Sequence, residues 1–290
     1  MTASSVPEPA SPADASIAAA SDGRHPFDRA IDLQPIDARR YRGHSDSAYW
    51  NFVGPYGGIM AAIVMRALML REERIGTPLA LTVNYAGALA EGPYEVSVDL
   101  RRSNRTTQHW SVEIHQGDDP ANRVVITATA VFATRRPVWS RPEAQPPQAP
   151  PAASLPRTPP REGLRWTRCY DMRFISGLPL VGDADDSTSV YWVKDHPDRA
   201  LDYPSLASLC DTAFPRIFVV RKKFVPIATV SMNIYFHGDE SALAIGADEH
   251  LLLTTRANVF DAGFSDQQAG LWTRAGRLLA STQQVAWYKE

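Results

Sequence analysis

One carboxylate of the sequence stands in a setting that could give it a chemical role. Asp211 interrupts the mostly apolar stretch 205–214, whose composition is that of a helix. A carboxylate buried among apolar side chains costs free energy unless a partner pairs with it or a reaction uses it. Asp211 is therefore a candidate catalytic residue, although a structural bond to a loop N–H would explain it as well.

The cysteines and histidines form no pattern of known chemistry. Cys169 and Cys210 lie outside any CxxC pair, and their spacing suits no zinc site. The sequence therefore predicts no metal site and no disulfide framework, which fits a reducing, cytoplasmic location. His237 ends a predicted strand and is expected to pack or to bond a loop. His109 and His115 alternate with apolar residues on a strand and are expected to face solvent.

Composition limits the class of protein and its partners. The chain has 290 residues, of which 44% are hydrophobic and 21% charged, and its net charge is −2. These values are typical of a soluble globular protein, and the length suits two domains or one large one. The net charge gives no positive field that would attract nucleic acid or a membrane surface. The sequence contains no run of 18 apolar residues, so no membrane span is predicted. The first 25 residues, rich in Ala, Ser and Pro, predict a disordered arm.

A proline-rich segment divides the rest of the chain. Residues 137–162 are dense in Pro, Ala and Gln, a composition that favours an extended linker over a helix or a strand. The segment leaves two parts, 26–136 and 163–290. Each is near the lower end of the size of a domain.

The first part predicts one buried helix followed by strands. Gly57 and Gly58 allow a tight turn into an apolar stretch that continues to Leu68. Alternating or β-rich patterns then predict strands, at 79–85, 95–101, 109–115 and 124–132.

The second part repeats this order. A helix is predicted over 205–219, with Pro215 bending or ending it. Strands are predicted near 228–236, 243–247, 251–259, 270–273 and 277–287. One helix followed by an antiparallel meander is the hotdog arrangement, and a second copy can cover the sheet edge of the first. The sequence therefore predicts an α+β double hotdog, with a long central helix in each of two units.

Four short motifs carry a family resemblance. The segments are ATVSMNIYFH at 228–237, LLASTQQ at 278–284, SLCD at 208–211 and GPYGG at 54–58. In this order and spacing they resemble the TesB-like acyl-CoA thioesterases. The resemblance covers most of the two predicted units.

The resemblance implies a site and a reaction. Members of this family hold a water molecule with an Asp, a Ser or Thr, and a Gln, and the matching positions are Asp211, Thr229 and Gln284. Only the carboxylate can take a proton, so Asp211 is the expected general base, while the other two orient the water. Water itself attacks the thioester, so no side-chain nucleophile and no cofactor are expected.

The remaining site predictions concern the substrate. Gly57, Gly58 and Tyr56 are expected to contact the acyl thioester, with helix-start N–H groups facing the oxyanion. Core packing would explain Tyr56 equally well. An acyl-CoA or related acyl thioester is the expected partner. A homo-oligomer is expected as well, because the outer faces of such sheets commonly associate.

Several alternatives stay open at this point. A hydratase would need an acid–His pair near the first helix, where only His44 and Asp46 offer one. A non-catalytic acyl-binding protein and a ligand-free structural subunit are the other two.

Two basic segments could meet coenzyme A phosphates or simply be solvated: Arg101-Arg102 with Arg105, and Arg221-Lys222-Lys223.

Overall fold

The computed structural model describes residues 23–119, 123–181 and 185–290, and within them the chain forms one large antiparallel sheet. The predicted arm at 1–25 lies outside these residues except for its last three. Of those three, His25 is already part of the fold, because its side chain accepts a hydrogen bond from Phe27 N and caps helix α1 (Pro26–Ala30).

The described part of the first half supplies the short helix α1, one longer helix and six strands. Helix α2 spans Gly57–Met69. All four strands predicted in this half are present, and two short strands precede them. The strands are β1 (Gln34–Pro35), β2 (Arg40–His44), β3 (Thr77–Tyr85), β4 (Pro93–Ser103), β5 (Thr107–His115) and β6 (Val124–Ala133).

The second half supplies three short helices and seven strands. The helices are α3 (Tyr203–Leu209), α4 (Arg216–Val220) and α5 (Glu240–Leu243). The strands are β7 (Tyr170–Ser176), β8 (Ser189–Asp195), β9 (Ile227–Phe236), β10 (Leu251–Arg256), β11 (Phe260–Asp261), β12 (Phe264–Trp272) and β13 (Leu278–Tyr288).

The two halves join edge to edge in the middle of the sheet. The strand order is β1-β2-β4-β5-β6-β3-β9-β13-β12-β10-β8-β7, with β11 paired to β12. Strands β3 and β9 pair antiparallel across the junction, with Leu81 opposite Ile234 and Val83 opposite Met232. Each half thus covers the edge that the other would expose to solvent.

The helices α2 and α3 pack against each other and against the strands of this sheet. Helix α2 is apolar nearly all round, and ten of its thirteen residues are buried, so it forms the centre of the main core. The prediction of a second long helix is wrong. Helix α3 ends at Leu209 after seven residues, and Pro215, whose ring cannot continue a helix ladder, caps the separate helix α4.

The proline-rich segment 137–162 lies against the second half rather than free in solvent. It contains one short 3-10 turn, Ala152–Ser154. The carbonyl of Pro150 accepts a hydrogen bond from Trp192 Nε1, and the carbonyls of Ala152 and Leu155 accept from Arg173. The segment is therefore attached to the outer face of the second-half sheet, although most of its side chains are exposed.

The second half departs from the predicted strands elsewhere as well; for example, the strand predicted at 270–273 is the end of β12, which begins at Phe264. The strand predicted at 243–247 is absent, because Asp239 accepts a hydrogen bond from Ala242 N and starts helix α5 there. Strands β7 and β8 were not predicted. They lie in 163–200, where no alternating pattern marked them; the burial of β8 is nearly continuous instead.

Candidate active site

Asp211 follows helix α3 and faces the first turn of helix α2. Its side chain is 9% exposed, and the amide N–H of its backbone bonds to Ser208 O. A Cβ added to Gly57 would lie 2.8 Å from Asp211 Oδ2, and one added to Gly58 would lie 2.5 Å from Ser208 O. Glycine at both positions therefore lets the start of α2 approach the carboxylate, which no larger residue would permit.

Gln284 and Thr229 complete a hydrogen-bonded chain with Asp211. Gln284 Nε2 donates to Asp211 Oδ1 over 3.1 Å, and Thr229 Oγ1 donates to Gln284 Oε1 over 3.0 Å. Gln284 is 5% exposed, whereas Thr229 is only half-buried. The polar chain thus runs from the buried carboxylate towards solvent, and the structure brings together three residues that lie up to 73 positions apart.

An irregularity in strand β9 turns Thr229 towards this site. The inward residues Met232 and Ile234 set an alternation that would place Val230 inward and Thr229 outward. The register with β13 shifts instead between Val285 and Ala286, so that Ser231 pairs with Val285 and Thr229 with Ala286. Val230 is the extra residue of a β-bulge and is exposed. Bulges are a common means of redirecting a side chain.

Burial gives the Asp211 carboxyl an unusual proton affinity. Loss of solvent raises its pKa from the ordinary 3.8 to about 7, while the hydrogen bond from Gln284 and the backbone N–H of Gly58 oppose the rise. A carboxylate with a pKa near neutrality can accept a proton from water and return it within one cycle. Bonded to the Gln284 amide, and through it linked to the Thr229 hydroxyl, this carboxylate could position and deprotonate a single water molecule.

Tyrosine side chains surround the carboxylate, and the sequence interpretation assigned none of them to its environment. Tyr85 Oη donates to Gly57 O over 2.9 Å, and a Cβ on Gly57 would lie 3.3 Å from that oxygen. Tyr56 Oη donates to Ser208 O over 2.9 Å, and Tyr170 Oη lies 2.6 Å from Ser208 Oγ. Burial, together with the negative charge of Asp211, raises the pKa of all three phenols, so they stay neutral.

Tyr56 is packed in the core, which is one of the two roles predicted for it, and its contact with the substrate stays a prediction. Its ring is 3% exposed and stacks on Trp166 with 4.4 Å between centroids. Tyr56 therefore ties helix α2 to the end of helix α3. One indication of this role was present in the sequence, because Tyr56 stands directly before Gly57-Gly58 at the start of the helix.

Other candidate residues lie apart from Asp211. His44 is exposed and its Nδ1 contacts Ser45 O, while Asp46 caps a 3-10 turn through Ala48 N. His237 Nε2 contacts Ser281 Oγ at the far end of β9. A groove of about 500 Å³ opens on the outer face of the second-half sheet, between Tyr235, Arg256 and Gln268. Asp211 does not line it.

Within residues 23–119, 123–181 and 185–290, no group of His, Cys, Asp and Glu is arranged to hold a metal ion. Both cysteines are free and buried. No helix in these ranges is long and apolar enough to cross a bilayer.

Comparison with protein families gives two matches that follow one another along the chain. Residues 47–133 match the acyl-CoA thioesterase N-terminal domain, and residues 142–288 match the acyl-CoA thioesterase C-terminal domain. A search of curated proteins gives no significant match.

Solved structures agree with these matches. A conserved protein of unknown function with a hotdog fold from Alicyclobacillus acidocaldarius is 40% identical and superposes with a TM-score of 0.86, over 92% of this chain and 99% of that one. A thioesterase II from Thermobifida fusca is 19% identical, with a TM-score of 0.77 over 91% and 97%. The acyl-CoA thioesterase II TesB2 of Mycobacterium marinum is 18% identical, with a TM-score of 0.71 over 91% and 98%. The chain shares their hotdog fold.

Proposed function

The chain belongs to the acyl-CoA thioesterase family and is a thioester hydrolase, and from that premise we propose that Asp211, Gln284 and Thr229 hydrolyse an acyl-CoA with one bound water. The observation that carries the proposal is the hydrogen-bonded chain of these three residues, which ends in a buried carboxylate with a pKa of about 7.

Each residue has a distinct part in the reaction. Asp211 removes a proton from the water while the water oxygen bonds to the thioester carbon. The tetrahedral intermediate then collapses, the C–S bond breaks, and the thiolate takes the proton back from Asp211. Gln284 Nε2 fixes the carboxylate, and Thr229, which donates to Gln284, keeps its lone pairs for the water.

The oxyanion is best placed at the start of helix α2. The backbone N–H of Gly58 faces Asp211, whereas the N–H of Gly57 donates to no group in the described part of the chain. Gly57 N–H also lies at the positive end of a thirteen-residue helix. It is therefore the expected donor to the carbonyl oxygen as negative charge develops.

The division of the chain follows from this arrangement. We take 26–136 and 163–290 as two hotdog units of a double hotdog joined by the segment 137–162. The catalytic side chains come from the second unit and the oxyanion donor from the first. In the first unit, Ala130 pairs with Leu81 as Gln284 pairs with Met232 in the second. An alanine cannot orient a carboxylate, so one site per chain is expected.

The hydratase alternative loses its main support. Such an enzyme needs a carboxylate and an imidazole converging on the substrate, but in the described part of the chain His44 Nδ1 contacts Ser45 O and Asp46 accepts from Ala48 N, both of them local backbone groups. Asp211, in turn, bonds to the amide of Gln284, which itself accepts from the hydroxyl of Thr229.

A panel of acyl-CoA substrates of increasing chain length tests the proposed function. Release of free thiol should be measured by its reaction with a chromogenic disulfide. At least one chain length should be hydrolysed well above the background rate. If no thioester of the panel releases thiol, the chain is better interpreted as a non-catalytic acyl-binding protein. Cytoplasmic location and homo-oligomeric state stay predictions.

A further inference from the structure

Tyr85 is the last inward-facing residue of strand β3. Leu81 and Val83 are buried on the same face of the strand, so Tyr85 continues their alternation towards the core. Strand β3 ends at Tyr85, and the next two backbone N–H groups both donate to Val125 O. The phenol is thus held where the end of β3 meets the start of helix α2.

The hydroxyl of Tyr85 bonds to one end of a peptide group whose other end faces Asp211. Tyr85 Oη donates to Gly57 O over 2.9 Å. That carbonyl belongs to the peptide bond between Gly57 and Gly58, and the N–H of the same peptide faces the Asp211 carboxylate. Because a peptide group is planar and rigid, a hydrogen bond that fixes its carbonyl also fixes the direction of its N–H.

The phenol and the carboxylate approach the helix start at the same residue. A Cβ added to Gly57 would lie 3.3 Å from Tyr85 Oη and 2.8 Å from Asp211 Oδ2. A side chain there would have to displace one oxygen or the other, so glycine is what allows both to come close. The two groups also interact electrostatically, because the negative charge of Asp211 adds to burial in raising the pKa of the phenol.

We propose that Tyr85 is a positioning residue of the hydrolase, whose hydroxyl holds the Gly57–Gly58 peptide so that the Gly58 N–H points at the Asp211 carboxylate and favours its ionised form. This proposal rests on the function proposed above, in which Asp211 is the base. It adds a residue of the first half of the chain that acts on the base through a backbone group.

The physical basis is that hydrogen bonds in series strengthen one another. A carbonyl that accepts a hydrogen bond makes its peptide more polar, and the N–H of that peptide becomes a stronger donor. A stronger donor stabilises the ionised carboxylate that it faces and lowers the pKa of that carboxyl. By this route the Tyr85 hydroxyl opposes burial, which raises the pKa of Asp211 to about 7.

The other titratable groups around Asp211 stay neutral in the range where it titrates. Three phenols and one thiol feel its negative charge, and burial together with this charge raises the pKa of each: Tyr56, Tyr170, Tyr191 and Cys210. Among the described residues, the groups that favour the ionised carboxylate are the Gln284 amide and the Gly58 N–H. A change in the pKa of Asp211 on loss of the Tyr85 hydroxyl can therefore be traced to the Gly58 N–H.

Tyr203 provides a matched control. Its hydroxyl, like that of Tyr85, donates to a glycine carbonyl, Gly238 O, over 3.1 Å. Tyr203 is buried and is the first residue of helix α3, whereas Asp211 follows the other end of that helix. Loss of the Tyr203 hydroxyl therefore removes a hydrogen bond of the same kind away from the site.

The first test is the pH dependence of kcat/KM for the best acyl-CoA of the panel in Tyr85→Phe, which lacks only the hydroxyl. Its midpoint should lie about half a pH unit or more above that of the parent, because the Gly58 N–H has become a weaker donor. Tyr203→Phe should keep the midpoint of the parent. A purely structural loss would lower the rate equally at every pH, so the midpoint distinguishes a positioning role from a structural one.

A nuclear magnetic resonance titration measures the same pKa without turnover, in protein whose aspartate carboxyl carbons are labelled with carbon-13. The Asp211 signal is identified by its absence from the spectrum of Asp211→Asn. Its pKa should be about 7 in the parent and higher in Tyr85→Phe. In the parent, the amide signal of Gly58 should shift along the same titration curve.

Equal Asp211 pKa values in the parent and Tyr85→Phe would overturn the proposal, as would an equal shift in Tyr203→Phe. A Gly58 amide signal that ignores the titration of Asp211 would overturn it as well, and that measurement needs only the parent. A parent in which both signals titrate as described, but which hydrolyses no thioester, would refute the proposed function and leave the action of Tyr85 on Asp211 standing.

Discussion

The amide of Gln284 donates to the carboxylate of Asp211 and at the same time accepts from the hydroxyl of Thr229. These two hydrogen bonds fix which end of the amide faces which partner, because the nitrogen can only donate and the oxygen can only accept. Gln284 therefore determines both the position of the Asp211 carboxylate, the proposed base, and the direction of the threonine hydroxyl.

Replacement of Gln284 by Ala should lower kcat by about 10–100-fold, because orientation is lost while the base remains. The adjacent Gln283 points to the opposite, exposed face of β13 and is a matched control. Gln283→Ala should leave thiol release at the parental rate. Equal losses in the two variants would show that the effect comes from the strand and not from the site.

The bulge at Val230 gives a test of which residue faces the water. Thr229→Val removes the hydroxyl with little change of shape and should lower kcat by about tenfold, whereas Thr229→Ser should retain most activity. The double variant Thr229→Val with Val230→Thr should stay as slow as the single one, since residue 230 is exposed. Recovery of activity by the double variant would mean that the strand is regular and that residue 230 faces inward.

The raised pKa of Asp211 predicts the pH dependence of activity. The base must be ionised to act, so kcat/KM should rise with pH and level off above about 7. The hydrogen bond from Gln284 lowers this pKa, so Gln284→Ala should move the midpoint to higher pH. A midpoint near 4 in the parent, within the range of an ordinary carboxyl, would contradict the assignment.

Stability should change with pH in the opposite direction to activity. The folded-state pKa of about 7 lies above the ordinary 3.8, so the folded chain binds this proton more tightly. This proton stabilises the folded chain fully below pH 3.8, and the stabilisation is lost as the pH rises to about 7. Asp211→Asn lacks this effect. As the pH rises from 3.8 to about 7, its free energy of unfolding should therefore increase relative to that of the parent by up to about 4 kcal/mol. Thermal or urea unfolding at several pH values measures the difference, and parallel curves would refute it.

The predicted homo-oligomer is tested by light scattering. Outer sheet faces and two adjacent exposed apolar side chains, Val138 (73% exposed) and Trp139 (82% exposed), remain uncovered by the described chain. Surfaces of this kind commonly associate. The mass should exceed that of one chain across micromolar concentrations. A single-chain mass throughout that range would refute the prediction.

Local pattern was enough to predict much of the fold, and its failures have physical causes. The strands of the first half alternate clearly, so β4 and β5 were predicted within two residues at each end. Strand β8 is buried on both faces and has no alternation to detect. Near the end of α3, Ser208 makes tertiary contacts with Tyr56 and Tyr170, which no helix propensity expresses.

The candidate site was likewise predictable from the sequence only in part. Asp211, Thr229 and Gln284 were identified through a family resemblance, and the fold brings them together. The bulge that redirects Thr229 arises from the register between two strands, which one strand's sequence does not contain. The phenol of Tyr85 is near Asp211 only because β3 ends beside the start of α2, a relationship set by the assembled sheet.

The measurement that tests the central claim most directly is the turnover of Asp211→Asn on the best acyl-CoA of the panel. The amide keeps the shape of the carboxylate but cannot take a proton, so kcat should fall by about 10²–10⁴-fold with little change in KM. Asp195→Asn is the matched control. Asp195 is a buried carboxylate whose pKa burial raises to about 6, and it bonds to Ser205 outside the site. The account predicts near-parental kcat for Asp195→Asn and a large loss for Asp211→Asn. Hydrolysis by Asp211→Asn at the parental rate would contradict it.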